Sequence, residues 1–304
     1  MLHSRHPRWL IGVWLLAAGC AQVPYEYGHF PAAHSGDAAP QEVVVVYGKP
    51  RKALDRIGWV VGIPDRILPL NSKINNHKIT PETIDKLKEY LERNDLTDVY
   101  VCVNYYDPRG QWRRLRSNKL VGPGWRYSLG TLSVLSYSLF PGRIFGGDEY
   151  NPYTNSLYLN SDVPALVLYE AAYAKDIRGR KSPGAYAAVN DLPLVGLWRI
   201  THGMNDVLGY TRAENDWETE RQTYRVLYPR IGVETMTPAV LFVPVWWGRP
   251  IVGVAGAAAG HATGRAVAAH REKQLHSQQP PEEKAAAEIQ LTGHVQRLPP
   301  TEEP

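Results

Sequence analysis

Four stretches carry a readable rhythm of apolar positions. The first opens at Thr80, a helix cap, with Pro81 in the first turn and Thr83 as a second possible cap. Ile84, Leu87 and Leu91 then recur at helical spacing until Asn94-Asp95, and residues 99–104 follow as an apolar strand. Helix, short loop and strand predict an α/β layer. The second stretch, residues 161–177, reads SDVPALVLYEAAYAKDI. Asp162 or Ser161 can cap a helix there, Pro164 suits its first turn, and residues 156–160 form a short strand leading into it. Residues 192–212 and 216–227 are two further helices. Gly203 and Gly209 are weak points in the former, and Pro229 and Gly232 end the latter.

Between these stretches the pattern is looser. Residues 43–47 read as a strand or an adhesive part of a linker, and 55–70 as a short or broken helix packed on the core. Residues 131–140 are apolar and β-rich, 150–153 a turn, and 178–184 a basic, mobile loop. Residues 238–270 differ from everything before them. An apolar run, Ala239 to Trp247, is broken at Arg249-Pro250. Gly253, Gly256, Gly260 and Gly264 then fall near one side of an Ala-rich helix. Small residues four apart let helices approach closely, in or out of a membrane. An arginine at the centre of a span costs roughly 2.5–3.5 kcal/mol, so packing against another helix is the expected use.

The chain has 304 residues, enough for one domain or two with a sizeable core. Its net charge of +4 is spread along the chain, which predicts no nucleic-acid patch. Trp112-Arg113-Arg114 and Trp125-Arg126-Tyr127 instead suggest structural cation–π contacts. The N-terminus is a targeting segment. His3, Arg5, His6 and Arg8 precede an apolar run, Trp9 to Leu16, too short to span a bilayer. Leu16-Ala17-Ala18-Gly19-Cys20 resembles the bacterial lipobox, with Ala17 where leucine is usual. The resemblance implies cleavage before Cys20 and a lipid on that cysteine. Ala21, in place of an aspartate, implies the outer membrane facing the periplasm rather than the inner membrane. Cys102, the other cysteine, lies in the strand at 99–104 and reads as a buried, inert thiol, so no disulfide framework is possible.

On the helix at 161–177, Tyr169 and Tyr173 share a face and Glu170 lies beside them. With histidine in place of each tyrosine, this would be the H-E-x-x-H frame of a zinc protease. Tyr169 to Asp176 reads YEAAYAKD, and the later helix reads Trp198-Arg199-Ile200-Thr201-His202-Gly203-Met204-Asn205-Asp206. Together with residues 121–127 (VGPGWRY), 146–152 (GGDEYNP) and 162–165 (DVPA), these stretches resemble a family of poorly characterised bacterial membrane-associated zincin-like proteins. The resemblance runs from about Gly58 to Gly264. Members carry H-E-A-G-H-A-K-D where this chain has Tyr169 to Asp176, and a glutamate ligand where it has Ile200.

The resemblance implies an α+β fold, a zincin-like domain with a small sheet packed on the former metal-site helix and further helices C-terminal. It also implies loss of the site. Zinc needs two imidazoles, a third ligand and an open position for water, and a glutamate takes the proton of that water. Tyr169, Tyr173 and Ile200 occupy the three ligand positions, and only the relic base Glu170 remains. No metal and no cofactor are expected, and Arg199 is expected to pair with Glu170 in their place. A rebuilt metal site would use His202 and Asp206, four residues apart on one helix, with Glu170.

The expected organisation is a lipoprotein signal peptide (1–19), a flexible tether (20–40), a zincin-like domain (41–237), an apolar Gly-rich helical segment (238–270) and a disordered tail (271–304). The expected function is that of an envelope lipoprotein. It meets the membrane through its lipid, and an inactive metalloprotease-like domain binds a protein or envelope ligand. The alternatives are an active hydrolase with a rebuilt metal site, or a structural lipoprotein whose Gly-rich helix self-associates or touches the membrane.

Overall fold

The computed structural model describes residues 24–30, 42–190, 192, 195–240 and 248–278, with side chains for all but 237–240 and 248–251. The expected signal segment, Cys20, most of the expected tether and the tail beyond 278 lie outside the described residues.

Within these bounds the chain is α+β. Four short strands, β1 (Val45–Tyr47), β2 (Tyr100–Val103), β3 (Glu149–Asn151) and β4 (Ser156–Leu159), form one sheet in the order β1-β2-β4-β3. The first two pairings are parallel and β3 runs antiparallel at the edge. β2 and β4 sit in the middle and read as continuous apolar runs because neighbours cover them on all sides. The β3–β4 turn closes through Asn155, at φ 48°, and the Tyr150 hydroxyl donates to its side chain at 2.8 Å. Asparagine tolerates this left-handed conformation.

Helices cover the sheet. α1 (Lys52–Val61) and α2 (Ile63–Ile67) are the broken helix expected at 55–70, divided at Gly62. α3 (Pro81–Arg93) begins at Thr80-Pro81 and buries Ile84, Leu87 and Leu91, as the apolar spacing predicts. α4 (Pro108–Ser117), α5 (Pro123–Tyr127), α6 (Leu129–Leu139) and α7 (Gly142–Phe145) follow. α8 (Pro164–Arg178) is the central helix, with eleven of fifteen residues buried. α9 (Pro183–Asn190), α10 (Gly196–Ala213), α11 (Trp217–Val240) and α12 (Gly248–Gln278) complete the order.

Five expectations change here. Residues 131–140 are not β: they belong to α6, where Ser138 turns its hydroxyl back to the Val134 carbonyl at 2.7 Å. Neither Asp162 nor Ser161 caps α8. Val163 is the residue at the cap, and the α8 amide of Ala165 instead donates to Gln222 of α11 at 2.9 Å. Asp162 serves α3, accepting from the Thr80 amide and from the hydroxyls of Thr80 and Thr83. The helix from 216 does not stop at Pro229 and Gly232. It runs to Val240 because α12 packs along it so closely that a Cβ at Gly232 would lie 1.9 Å from the Gly256 carbonyl. Residues 271–278, expected to be disordered, continue α12.

The last change concerns the tether, of which Pro24–Phe30 lies against the domain. Tyr25 reaches Asn94 and Asp206, Tyr27 hydrogen-bonds Glu214, and Lys175 donates to the Glu26 carbonyl.

The glycine stripe of α12 is a packing device, as expected. Cβ atoms at Gly260 and Gly264 would lie 2.2 and 2.3 Å from the Tyr228 and Tyr224 carbonyls of α11. No helix among the described residues is long and apolar enough to cross a membrane. Of the two expected cation–π contacts, that of Arg126 forms within its own triplet and that of Arg114 takes a different ring. Arg114 lies over Tyr100 at 4.0 Å, and Arg126 over Tyr127 at 4.9 Å. Cys102 is buried and free, and burial pushes its thiol up to about 12.

Candidate functional site

α8 carries Tyr169, Glu170 and Tyr173 into the core, each almost wholly buried. Such burial follows from its position, with α3, α10, α11, β3 and β4 all packed on it. A helix apolar on every side has no solvent face to spare, so the polar residues within it must find partners inside.

α10 crosses α8 at Gly203. A Cβ there would lie 2.7 Å from Tyr169 Cε2, so the glycine is what admits the ring. Ile200, one turn earlier on α10, is buried in the same core as Tyr169 and Tyr173. Arg199 places its guanidinium 5.0 Å from the centre of the Tyr173 ring, and Arg230 of α11 lies 5.8 Å from that of Tyr169. The Tyr150 and Tyr173 rings meet edge to face at 6.0 Å. Gly203, Tyr150 and Arg230 were not singled out by pattern. Gly203 reads as a helix weak point, and Arg230 falls beyond the expected end of its helix.

Glu170 accepts one hydrogen bond, from the Tyr150 amide of β3 at 3.2 Å. Burial raises its carboxyl to about 7, against the opposing pull of the Arg199 and Arg230 charges. Burial works against the charge of Arg199, but Glu170 and the Tyr169 phenol outweigh it and hold that guanidinium above its usual range. The expected Arg199–Glu170 partnership is thus one of fields across the core. No ion pair within 4.0 Å joins the two among the described residues.

A cavity of about 510 Å³ opens beside this cluster, bounded by Tyr173, Arg199, Tyr150, Trp125 and Glu149 among others. A second, of about 230 Å³, shares Ser133, Ser136, Glu149 and Asn151 with it, so the two form one groove along β3 and α6. The larger part is lined mainly by aromatic and aliphatic side chains and the smaller about equally by polar ones, and the size is that of a small-ligand site.

The expected alternative metal site does not form among the described residues. His202 lies 3.4 Å from Asp176, which also accepts from the Tyr186 hydroxyl at 2.6 Å and from Arg180. Asp206 is committed to Tyr25, Tyr90 and Lys175. Helical spacing places His202 and Asp206 on one side of α10, but each is drawn into a different network, and Glu170 joins neither. No cluster of three or more His, Cys, Asp or Glu suited to a metal occurs among the described residues. No family model, no curated protein and no solved structure matches the chain.

Proposed function

We propose that the chain is a lipid-anchored envelope protein whose zincin-like domain has lost its metal and acts by binding in the groove beside α8. The observation that carries the reading is the approach of α10 to α8: Gly203 lies against the Tyr169 ring, Arg199 lies over Tyr173 within the field of Glu170, and Ile200 on the same helix is buried. By the resemblance, this is where two imidazoles and a carboxylate would meet. Here those positions hold two phenol rings and an aliphatic side chain, all buried. A neutral phenol is a poor zinc ligand and Ile200 is none. Glu170 alone has no metal-bound water to deprotonate.

A rebuilt hydrolase gains no support from the separate networks of His202 and Asp206. Self-association through the Gly-rich helix gains none either, because α11 already covers Gly256, Gly260 and Gly264 of that stripe.

The test is elemental analysis of the purified chain, with a peptidase assay in the presence and absence of chelator. The expected results are no stoichiometric zinc and no chelator-sensitive activity. A Tyr169→His, Tyr173→His, Ile200→Glu triple variant is expected to acquire zinc, since the frame around the three positions remains. Stoichiometric zinc in the unaltered chain, or chelator-sensitive peptidase activity, overturns the reading.

A further inference from the structure

α1 and α2 are amphipathic helices turned inside out. α1 directs Gly58 and Asp55 toward the domain. Asp55 is ion-paired with Arg143, which is itself buried and also donates to the carbonyls of Lys49 and Asn104. Its outward arc carries Ile57 and Val60, with Trp59 and Val61 on the flanks. In α2 the buried residue is Arg66, which donates to the Trp59 carbonyl, while Ile63 and Ile67 face out. A surface helix normally does the reverse.

The exposed apolar surface continues onto α7 and α6. α1 packs on α7, the Phe145 ring meets Phe140 edge to face at 5.8 Å, and Leu132, Leu135 and Leu139 line the outer side of α6. Val60 is 58% exposed, Ile67 60%, Leu139 64% and Phe145 60%. A run of this extent exceeds the scattered apolar residues that any surface carries.

Its margin is basic. Lys49, Arg51, Lys52 and Arg56 are exposed, and no ion pair joins any of them to a described residue. The nearest acid on α1, Asp55, is already taken by Arg143. A groove for a protein segment would pair its apolar floor with concavity and a polar rim of both signs. Outward-facing helices with aromatic and aliphatic residues on one arc and unpaired cations beside them match the interface of a bilayer with anionic headgroups.

We propose that the α1–α2 and α6–α7 face docks on an anionic lipid surface. Docking would hold the domain flat against the membrane with Val60, Ile67, Leu139 and Phe145 in the headgroup boundary and the four cations on lipid phosphates. The proposal stands apart from the lipid on Cys20 and from the fate of the metal site.

The test uses the full chain with Cys20→Ser, carrying Val60→Cys, Leu139→Cys or, on another face, Glu92→Cys, each labelled with an environment-sensitive dye. The remaining thiol, Cys102, is buried and unreactive to label. Vesicles of phosphatidylethanolamine with phosphatidylglycerol are expected to shift the dye to the blue at 60 and 139, shield it from iodide, and leave it unchanged at 92. Replacing phosphatidylglycerol by phosphatidylcholine, or Lys52 and Arg56 by Gln, is expected to weaken this response about ten-fold. A dye at 60 that ignores vesicles while the protein sediments with them overturns the proposal. So does a dye already shielded in solution, whether at all protein concentrations (a cover from within the chain) or only at high ones (a second copy).

Discussion

Helices α8 and α1 obey opposite rules within one chain. α8 is buried along most of its length, and its single ionisable pair-former at the centre, Glu170, is held between an amide and two distant guanidinium groups. α1 buries only Gly58 and turns Ile57, Trp59 and Val60 outward. Around α8, stability depends on polar groups that packing has cut off from water. At α1 it depends less on the outward side chains, because Ile57 and Val60 are half or more exposed, while Trp59 meets the Arg66 guanidinium at 4.4 Å on one face of its ring. A change of one residue should therefore cost much near α8 and little at Ile57 or Val60 of α1, whatever its hydropathy.

The largest effect is expected at the end of α8. Arg178 holds Asp98 through two hydrogen bonds at 2.7 and 2.8 Å, with side chains 4% and 5% exposed. Asp98→Ala leaves the guanidinium buried without its carboxylate, and such a loss costs about 3–5 kcal/mol. The urea midpoint of the variant reads it directly. A loss under about 1 kcal/mol would mean that the α8 surroundings are as tolerant as those of α1.

Glu170 gives the next effect, and its sign is unusual for a carboxylate. The folded chain holds this proton up to about pH 7, whereas the unfolded chain releases it near 4.5. Between those values the folded state binds more protons, so this group's contribution is full below pH 4.5 and is lost as pH rises through 7. The total is about 3 kcal/mol. Glu170→Gln keeps an oxygen for the Tyr150 amide and removes the titration. Relative to the variant, the unaltered chain is expected to lose urea resistance from pH 5 to pH 8, and parallel curves would refute the burial argument.

How much of this was legible in the chain depends on what held each element in place. α3 follows local rules, a first-turn proline and a 3.6-residue apolar rhythm, and α8 a first-turn proline ahead of a glycine-free run of helix formers; both are readable. α6 reads as β because Thr131, Val134, Tyr137 and Phe140 are strand formers in an apolar run. The helix answers the Ser138 hydroxyl locally at Val134. The extension of α11 past Pro229 was invisible because its cause is the backbone of α12, far along the chain. Pro24–Phe30 has no periodicity at all. What docks it is Tyr25 against Asn94 and Asp206, contacts that no local pattern encodes. The same holds for the site. The Tyr169/Tyr173 face follows from helical spacing, while Arg230 and the separate commitments of His202 and Asp206 arise from partners distant in sequence.

Gly203 sharpens the comparison at intermediate cost. Gly203→Leu places a branched side chain where Tyr169 already lies, and overpacking of this kind costs about 1–3 kcal/mol. Gly253 of α12 is the control, since a Cβ there meets nothing within 4 Å among the described residues. Gly253→Ala is expected to hold or gain stability, as glycine in a helix gives up about 1 kcal/mol to alanine. Opposite signs at two helical glycines would separate a glycine kept for close approach from one that packing does not require.

The smallest effect is the most telling for α1. Val60→Ser removes an apolar side chain, and in a core that change would be among the costly ones. At 58% exposure it gives up little buried area, and the folded chain is expected to keep its stability within about 0.5 kcal/mol. Urea unfolding of the variant in vesicle-free buffer measures this. A loss approaching that of Gly203→Leu would show that Val60 is covered in solution, and α1 would then bury its apolar arc like any other helix. Unchanged stability leaves valine at this position without a folding reason, which is what a face built to meet something outside the domain requires.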